Sequence, residues 1–224
     1  MLSPQKKLCR ALAYQFRDSR LIVQALTHRS IGSKNNERLE FLGDAVLGCI
    51  IADELFHRFP AATEGELTRL RASLVKGATL AVIGRELNLG DCLRLGSGEL
   101  KSGGFRRDSI LACGVEAILG AVYIDGGFEA TKALILRLYQ QRLEAVSPET
   151  AKKDSKTRLQ ELLQSRQQAL PIYEQTSVEG ESHDQIFHVV CRAKGLDELA
   201  KGKGTSRRKA EQDAARKAYQ ILAK

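Results

Sequence analysis

The stretch Asn36-Glu37-Arg38-Leu39-Glu40-Phe41-Leu42-Gly43-Asp44-Ala45-Val46-Leu47 constrains this chain more than any other. Read at 3.6 residues per turn, Glu37, Glu40 and Asp44 stand at i, i+3 and i+7, so all three carboxylates project from one helix face. Leu39, Leu42, Val46 and Leu47 are left to pack elsewhere. Like charges at these spacings repel, and an ordinary solvated face would intersperse Lys or Arg among them. A hard divalent cation removes the conflict, because carboxylate oxygens are the ligands Mg²⁺ accepts.

The surroundings of this helix are helical in period from Leu8 to about Leu143, with little β-branched alternation. Leu21, Ile22, Ala25 and Leu26 make a short amphipathic stretch. The acidic helix runs on through Ile50, Ile51 and Leu55 to Phe59-Pro60, where proline stops it. Thr63-Glu64-Gly65-Glu66 opens another helix with Leu67, Leu70, Leu74 and Val75 inward, and Leu80 to Leu87 suits one more. The segment Gly96 to Arg107 reads as a glycine-rich basic loop before a helix from Ser109 to Tyr123. Such a loop can present N–H groups and cations to phosphate, and it is equally what a plain connection looks like. On the helix that follows, Glu116 sits among Val115, Ala117, Ile118 and Leu119, where an unpaired carboxylate is costly, so it calls for a partner.

After about residue 146 the pattern changes. Residues 147–154 hold Pro148 and Lys152-Lys153 with little to bury and read as a linker between a domain at 1–146 and one at 155–224. Ser155 to Gln168 is helical, with Leu159, Leu162 and Leu163 inward. Pro171 introduces a strand through Val178, residues 185–193 alternate as a second strand, and a weaker third covers 197–202. A final helix spans Ser206 to Ala223. Its first turn holds Arg207, Arg208 and Lys209, where the positive end of the macrodipole disfavours cations, and Lys201 and Lys203 lie just before it. A bound anion would relieve that conflict. The net charge of +8 resides mostly in this second module and points to a polyanionic partner.

Cys9, Cys49, Cys92, Cys113 and Cys191 are odd in number and form no Cys-x-x-Cys pair, which fits free thiols in a reducing cytoplasm. No apolar leader opens the chain, and no window holds eighteen uninterrupted apolar residues, so neither secretion nor a membrane is expected.

Asn-Glu-Arg-Leu-Glu-Phe-Leu-Gly-Asp at 36–44, Lys-Ser-Gly-Gly-Phe-Arg-Arg at 101–107, and an αβββα module ending in Thr-Ser-Arg-Arg-Lys-Ala together resemble bacterial ribonuclease III. The resemblance covers nearly the whole chain in order. It implies two domains: an all-α endonuclease domain followed by a small α+β (αβββα) double-stranded-RNA-binding domain, acting as a homodimer. It makes Glu40, Asp44 and Glu116 ligands of a catalytic Mg²⁺, for which Mn²⁺ can substitute, and it sets Glu37 and Glu64 on the walls of the cleavage valley. Gln160, Gln164 and His183 match minor-groove contacts, and Arg207, Arg208 and Lys209 match a phosphate clamp. The implied reaction cuts ribosomal RNA precursors and other structured transcripts, messenger and transfer RNA among them, leaving 5′-phosphate and 3′-hydroxyl ends.

One position departs from the family pattern. Cys113 stands where an aspartate ligand is expected after Ser-Ile-Leu-Ala, and a thiol is a soft donor while Mg²⁺ prefers oxygen. The alternative reading is therefore a protein that binds duplex RNA but cuts it poorly; a hydrolase of small phosphate esters is a third, opposed by the C-terminal module. Glu64 also has a bland explanation, since a carboxylate in a first helical turn is favoured by the dipole alone. His28 is expected to be structural, and Phe41 is either core or, by the resemblance, a dimer contact.

Overall fold

A computed structural model describes residues 3–148, 155–181 and 184–223. The chain divides into two compact units, Met1–Ala151 and Lys152–Lys224.

The first unit is helical: α1 (Pro4–Ala11), α2 (Ser19–Ala25), α3 (Glu37–Arg58), α4 (Glu64–Val75), α5 (Gly77–Glu86), α6 (Ser97–Lys101) and α7 (Asp108–Ala145). The core forms where α3 meets α7. Leu47, Ile50, Ile51 and Leu55 from α3 pack with Ile118, Leu119 and Val122 from α7 and Leu80 and Ile83 from α5, all at 1% exposure or less. Burying each such side chain contributes about 1.5–3 kcal/mol. Two glycines decide how near the central helices come. A Cβ on Gly43 would lie 1.8 Å from the Glu116 carbonyl oxygen, and one on Gly120 would lie 2.1 Å from that of Leu39. The helices thus cross backbone to backbone, at a separation no side chain permits.

The start of α3 is fixed to the end of α2. The buried Asn36 amide donates to the Ala25 carbonyl at 3.3 Å, and its backbone N–H donates to Thr27 at 2.9 Å. The segment after α2 is held in turn by Arg94, whose N–H donates to Leu26 and whose carbonyl accepts from His28. α4 opens on a capping box: the Glu66 carboxylate accepts the Thr63 N–H at 2.8 Å while the Thr63 hydroxyl accepts the Glu66 N–H.

Two expectations are corrected here. Residues 96–107 are not an open loop but α6 followed by a 3₁₀ turn at Gly104–Arg106, because Arg107 folds back on Glu99 at 3.2 Å and on the Ser102 hydroxyl. The helix expected to end near Tyr123 continues to Ala145. Gly127, at φ 77° and ψ −172°, kinks it without ending it, and Leu134, Ile135, Tyr139 and Leu143 carry its buried stripe onward. Asp125 anchors the bend by accepting the Tyr14 hydroxyl at 2.7 Å and the N–H groups of Arg17 and Asp18 at 2.9 Å. By length and composition α7 could cross a membrane, but 61% of its most apolar window is buried against the other helices.

The second unit runs α8 (Ser155–Ser165), β1 (Ile172–Glu179), β2 (Ile186–Arg192), β3 (Ala200–Gly204) and α9 (Arg207–Leu222). The strands form one antiparallel sheet in the order β1-β2-β3, with a register shift between Gln175 and Ser177. Val189, Cys191 and Ala200 meet Leu159 and Leu163 of α8 and Ala210, Ala214 and Ala218 of α9 in a separate core. The third strand starts three residues later than the sequence suggests. Gly195 at φ 91° makes a turn, Asp197 and Glu198 are poor strand formers, and buried Ala200 is the first residue to pair, opposite Cys191.

Candidate active site and RNA-binding surface

The α3–α7 crossing brings together the side chains flanking its two glycines. Glu40 precedes Gly43 by three residues, and Cys113 and Glu116 precede Gly120 by seven and four, so they meet on one side of the contact. Donor atoms of Glu40, Cys113 and Glu116 all lie within 4.8 Å of one another. Asp44, one turn further along α3, faces the same cavity. That cavity of about 480 Å³ is also lined by His28, Arg29, Glu37, Phe41, Glu99, Arg107 and Ser109.

The electrostatics are those of a site short of positive charge. Burial, aided by the charges of Asp44 and Glu40, pushes the Glu116 carboxyl up to about 7. Burial likewise raises the Cys113 thiol to about 12, helped by its hydrogen bond to the Glu40 carboxylate and by the Glu40 and Glu116 charges. A divalent cation among these groups would reverse both effects. Glu40, Asp44 and Glu116 supply the hard oxygens such an ion takes; Cys113 is the donor that does not match Mg²⁺.

The other acidic positions separate. Glu37 stands at the rim, 3.5 Å from Arg29 and accepting from the Asn35 amide at 3.1 Å. Glu64 does not line this cavity: it accepts the Thr68 hydroxyl at 2.7 Å and borders a different groove with Ala52, Asp53, Phe56 and Arg71. Sequence reading passed over Glu99 and Arg107 as a facing pair on the cavity wall. Their signal was their place inside the basic segment 96–107. His28 also belongs to the wall, its Nδ1 2.9 Å from the Ser30 hydroxyl, which in turn accepts the Gly96 N–H at 2.8 Å.

On the second unit, Gln160 of α8 lines one concave surface with Arg207 and Arg208 of α9, together with Lys156, Thr157, Glu211 and Gln212. Gln164 is exposed one turn further along α8. Ser206 caps α9 by accepting the Lys209 N–H, and the Lys209 ammonium donates to the Thr205 hydroxyl at 3.0 Å. Glu211 accepts Arg207 at 3.0 Å and Lys156 at 2.7 Å, whereas Arg208 has no ion-pair partner among the described residues. His183 lies outside the described residues.

A carboxylate cluster at a helix crossing, on the same chain as a basic α-β-β-β-α module, defines the class only coarsely: a candidate metal-site domain joined to a candidate nucleic-acid-binding module. Comparison with known proteins narrows it. A profile described as Ribonuclease-III-like matches residues 18–143, and the double-stranded RNA binding motif matches residues 155–222. Ribonuclease 3 of Vibrio campbellii is 59% identical over 99% of this chain and 99% of its own length, and that of a Marinomonas species is 58% identical over 100% and 99%. The chain belongs to the ribonuclease III family. Among solved structures, the nuclease domain of ribonuclease III from Campylobacter jejuni superposes with a TM-score of 0.61 at 44% identity, covering 63% of this chain and 97% of that one. Dicer from Pichia stipitis aligns over 94% of this chain and 95% of its own, with a TM-score of 0.51 at 25% identity.

Proposed function

We propose that this protein hydrolyses double-stranded RNA endonucleolytically with Mg²⁺, or Mn²⁺ in its place, held by Glu40, Asp44 and Glu116. The observation that carries this reading is the convergence of two helices' carboxylates in one cavity, where burial and their mutual repulsion push Glu116 up to about 7. When bound, the metal supplies an activated water and neutralises charge on the scissile phosphate and the leaving oxygen. The protein's own groups fix the geometry: Glu40 and Glu116 meet on one side of the Gly43–Gly120 contact, and Arg107, paired with Glu99, offers a cation at the cavity wall. In the reaction the water oxygen bonds to phosphorus, the bond to the 3′ oxygen breaks, and that oxygen takes up a proton. The products are a 3′-hydroxyl and a 5′-phosphate.

Gln160 and Gln164 reach the minor groove while Arg207, Arg208 and Lys209 hold phosphates across the major groove, so recognition follows duplex shape. The working form is a homodimer. Phe41 is 80% exposed on α3 beside the acidic cavity, an apolar ring outside the core formed by the described residues. The role of Glu64 requires the same arrangement, since its own chain keeps it outside that cavity. Five free cysteines fit a cytoplasmic setting, with ribosomal RNA precursors and other structured transcripts as substrates.

Incubation with long duplex RNA and either metal tests the reading, with product ends identified by ligation and phosphatase treatment. Intact RNA in both metals, despite measurable binding, would sink it. Cys113 favours a second reading, a duplex-RNA-binding protein slow to cut. Cys113→Asp decides between the two: faster cleavage shows that the thiol limits the centre, and an unchanged rate shows that it does not.

A further inference from the structure

We propose that Cys113 makes the Glu40–Cys113–Glu116 cluster a site for a borderline-soft divalent cation of the Zn²⁺ and Co²⁺ class, held ahead of Mg²⁺. The inference rests on the reading of this cluster as the metal centre and adds to it the identity of the preferred ion. Three donors within 4.8 Å of one another, one sulfur and two carboxylates, are the number and kind that a four-coordinate zinc-class ion takes while leaving a position open. Mg²⁺ needs near-octahedral oxygen coordination and gains little from a thiol. The sulfur already lies within 4.8 Å of both carboxylates, so coordination exchanges the thiol proton for a metal among side chains the helix crossing has gathered. The thiol proton leaves to solvent, and the thiolate, Glu40 and Glu116 together offset the charge of the ion. Among the described residues this is the one group of three or more such side chains close enough to share an ion, so the other four cysteines offer no competing centre there. Zinc-class ions then compete with Mg²⁺ and suppress the cleavage that Mg²⁺ supports.

The test is Co²⁺ titration of the full-length protein followed by absorption. Thiolate-to-cobalt charge transfer should appear, saturate at one ion per chain, yield to Zn²⁺ and withstand a roughly hundredfold excess of Mg²⁺. Cys113→Ser, with helical content checked by circular dichroism, should abolish the band, and Cys113→Asp should abolish it while lowering the preference for Zn²⁺ over Mg²⁺. No band in the unaltered protein, a band that persists in Cys113→Ser, or displacement by equimolar Mg²⁺ would overturn the proposal. Cleavage of duplex RNA by Cys113→Asp with Mg²⁺ reports separately on the nuclease reading, so the two can fail independently.

Discussion

Replacing Gly43 with alanine adds one methyl group at the point where the acidic site is assembled. That Cβ would lie 1.8 Å from the Glu116 carbonyl oxygen and 2.9 Å from the Gly120 nitrogen, both backbone atoms that no rotamer can move aside. Ordinary contact requires α3 and α7 to part by roughly 1.5–2 Å. Overpacking of this kind costs about 1–3 kcal/mol, and the upper end applies because the obstruction is backbone. Better helix propensity returns only up to about 1 kcal/mol. The melting temperature of the nuclease unit should fall by on the order of 5 °C. The chemical effect should be larger than the thermal one. Glu40 and Asp44 ride on one helix and Cys113 and Glu116 on the other, and a misplacement of about 1 Å costs on the order of 100-fold in rate. Gly48→Ala is the internal control, on the same helix with nothing within 4 Å of its added Cβ. It should be neutral or slightly stabilising and cut normally. Thermal melts and initial rates on duplex RNA with Mg²⁺ compare the two. If Gly43→Ala matches Gly48→Ala in both, the close crossing does not set the site.

Glu116 is raised to about 7 when folded against 4.5 for its ordinary carboxyl, so its favourable contribution to the metal-free protein is full below pH 4.5 and is lost as pH rises through 7. After discounting for its partial exposure this is on the order of 1–2 kcal/mol, and Glu116→Gln should flatten that part of the stability–pH profile measured in chelator. In duplex-RNA binding, Arg208→Ala should reduce the salt-dependence slope by about 1, and more than Arg207→Ala, since Arg207 is already engaged by Glu211; titrations at several salt concentrations read both slopes. Phe41→Ser should shift the protein from dimer to monomer in sedimentation velocity without lowering helical content, and an unchanged dimer would remove Phe41 from the interface.

The acidic helix was legible because its period is local: residues three and seven apart in sequence are neighbours in space. The same logic found α4, α9 and most of the sheet. It failed where partners are distant. Nothing near Gly43 announces that Glu116, far along the chain, requires its bare backbone, although a glycine inside an otherwise strong helix was an anomaly that could have been weighed. Local rules end the helix at Tyr123 because they cannot see Asp125 gripping Tyr14, Arg17 and Asp18 and turning a break into a bend. The segment 96–107 looked open because its glycines and cations read as a loop, and the Glu99–Arg107 pair that folds it was not weighed. The role of Cys113 could be read only against the family pattern; in isolation it is one more cysteine on an apolar helix.

The crossing at Gly43 and Gly120 has a bearing on how such a centre can change over time. The scaffold is spaced by bare backbone, so its dimensions do not depend on which atoms the nearby side chains present. On that account an exchange of aspartate and cysteine at residue 113 is expected to leave the Gly43–Gly120 spacing as it is. Position 113 is thus an interchangeable fitting on a fixed mount, where a lineage or an engineer can retune metal preference one residue at a time and leave the fold alone.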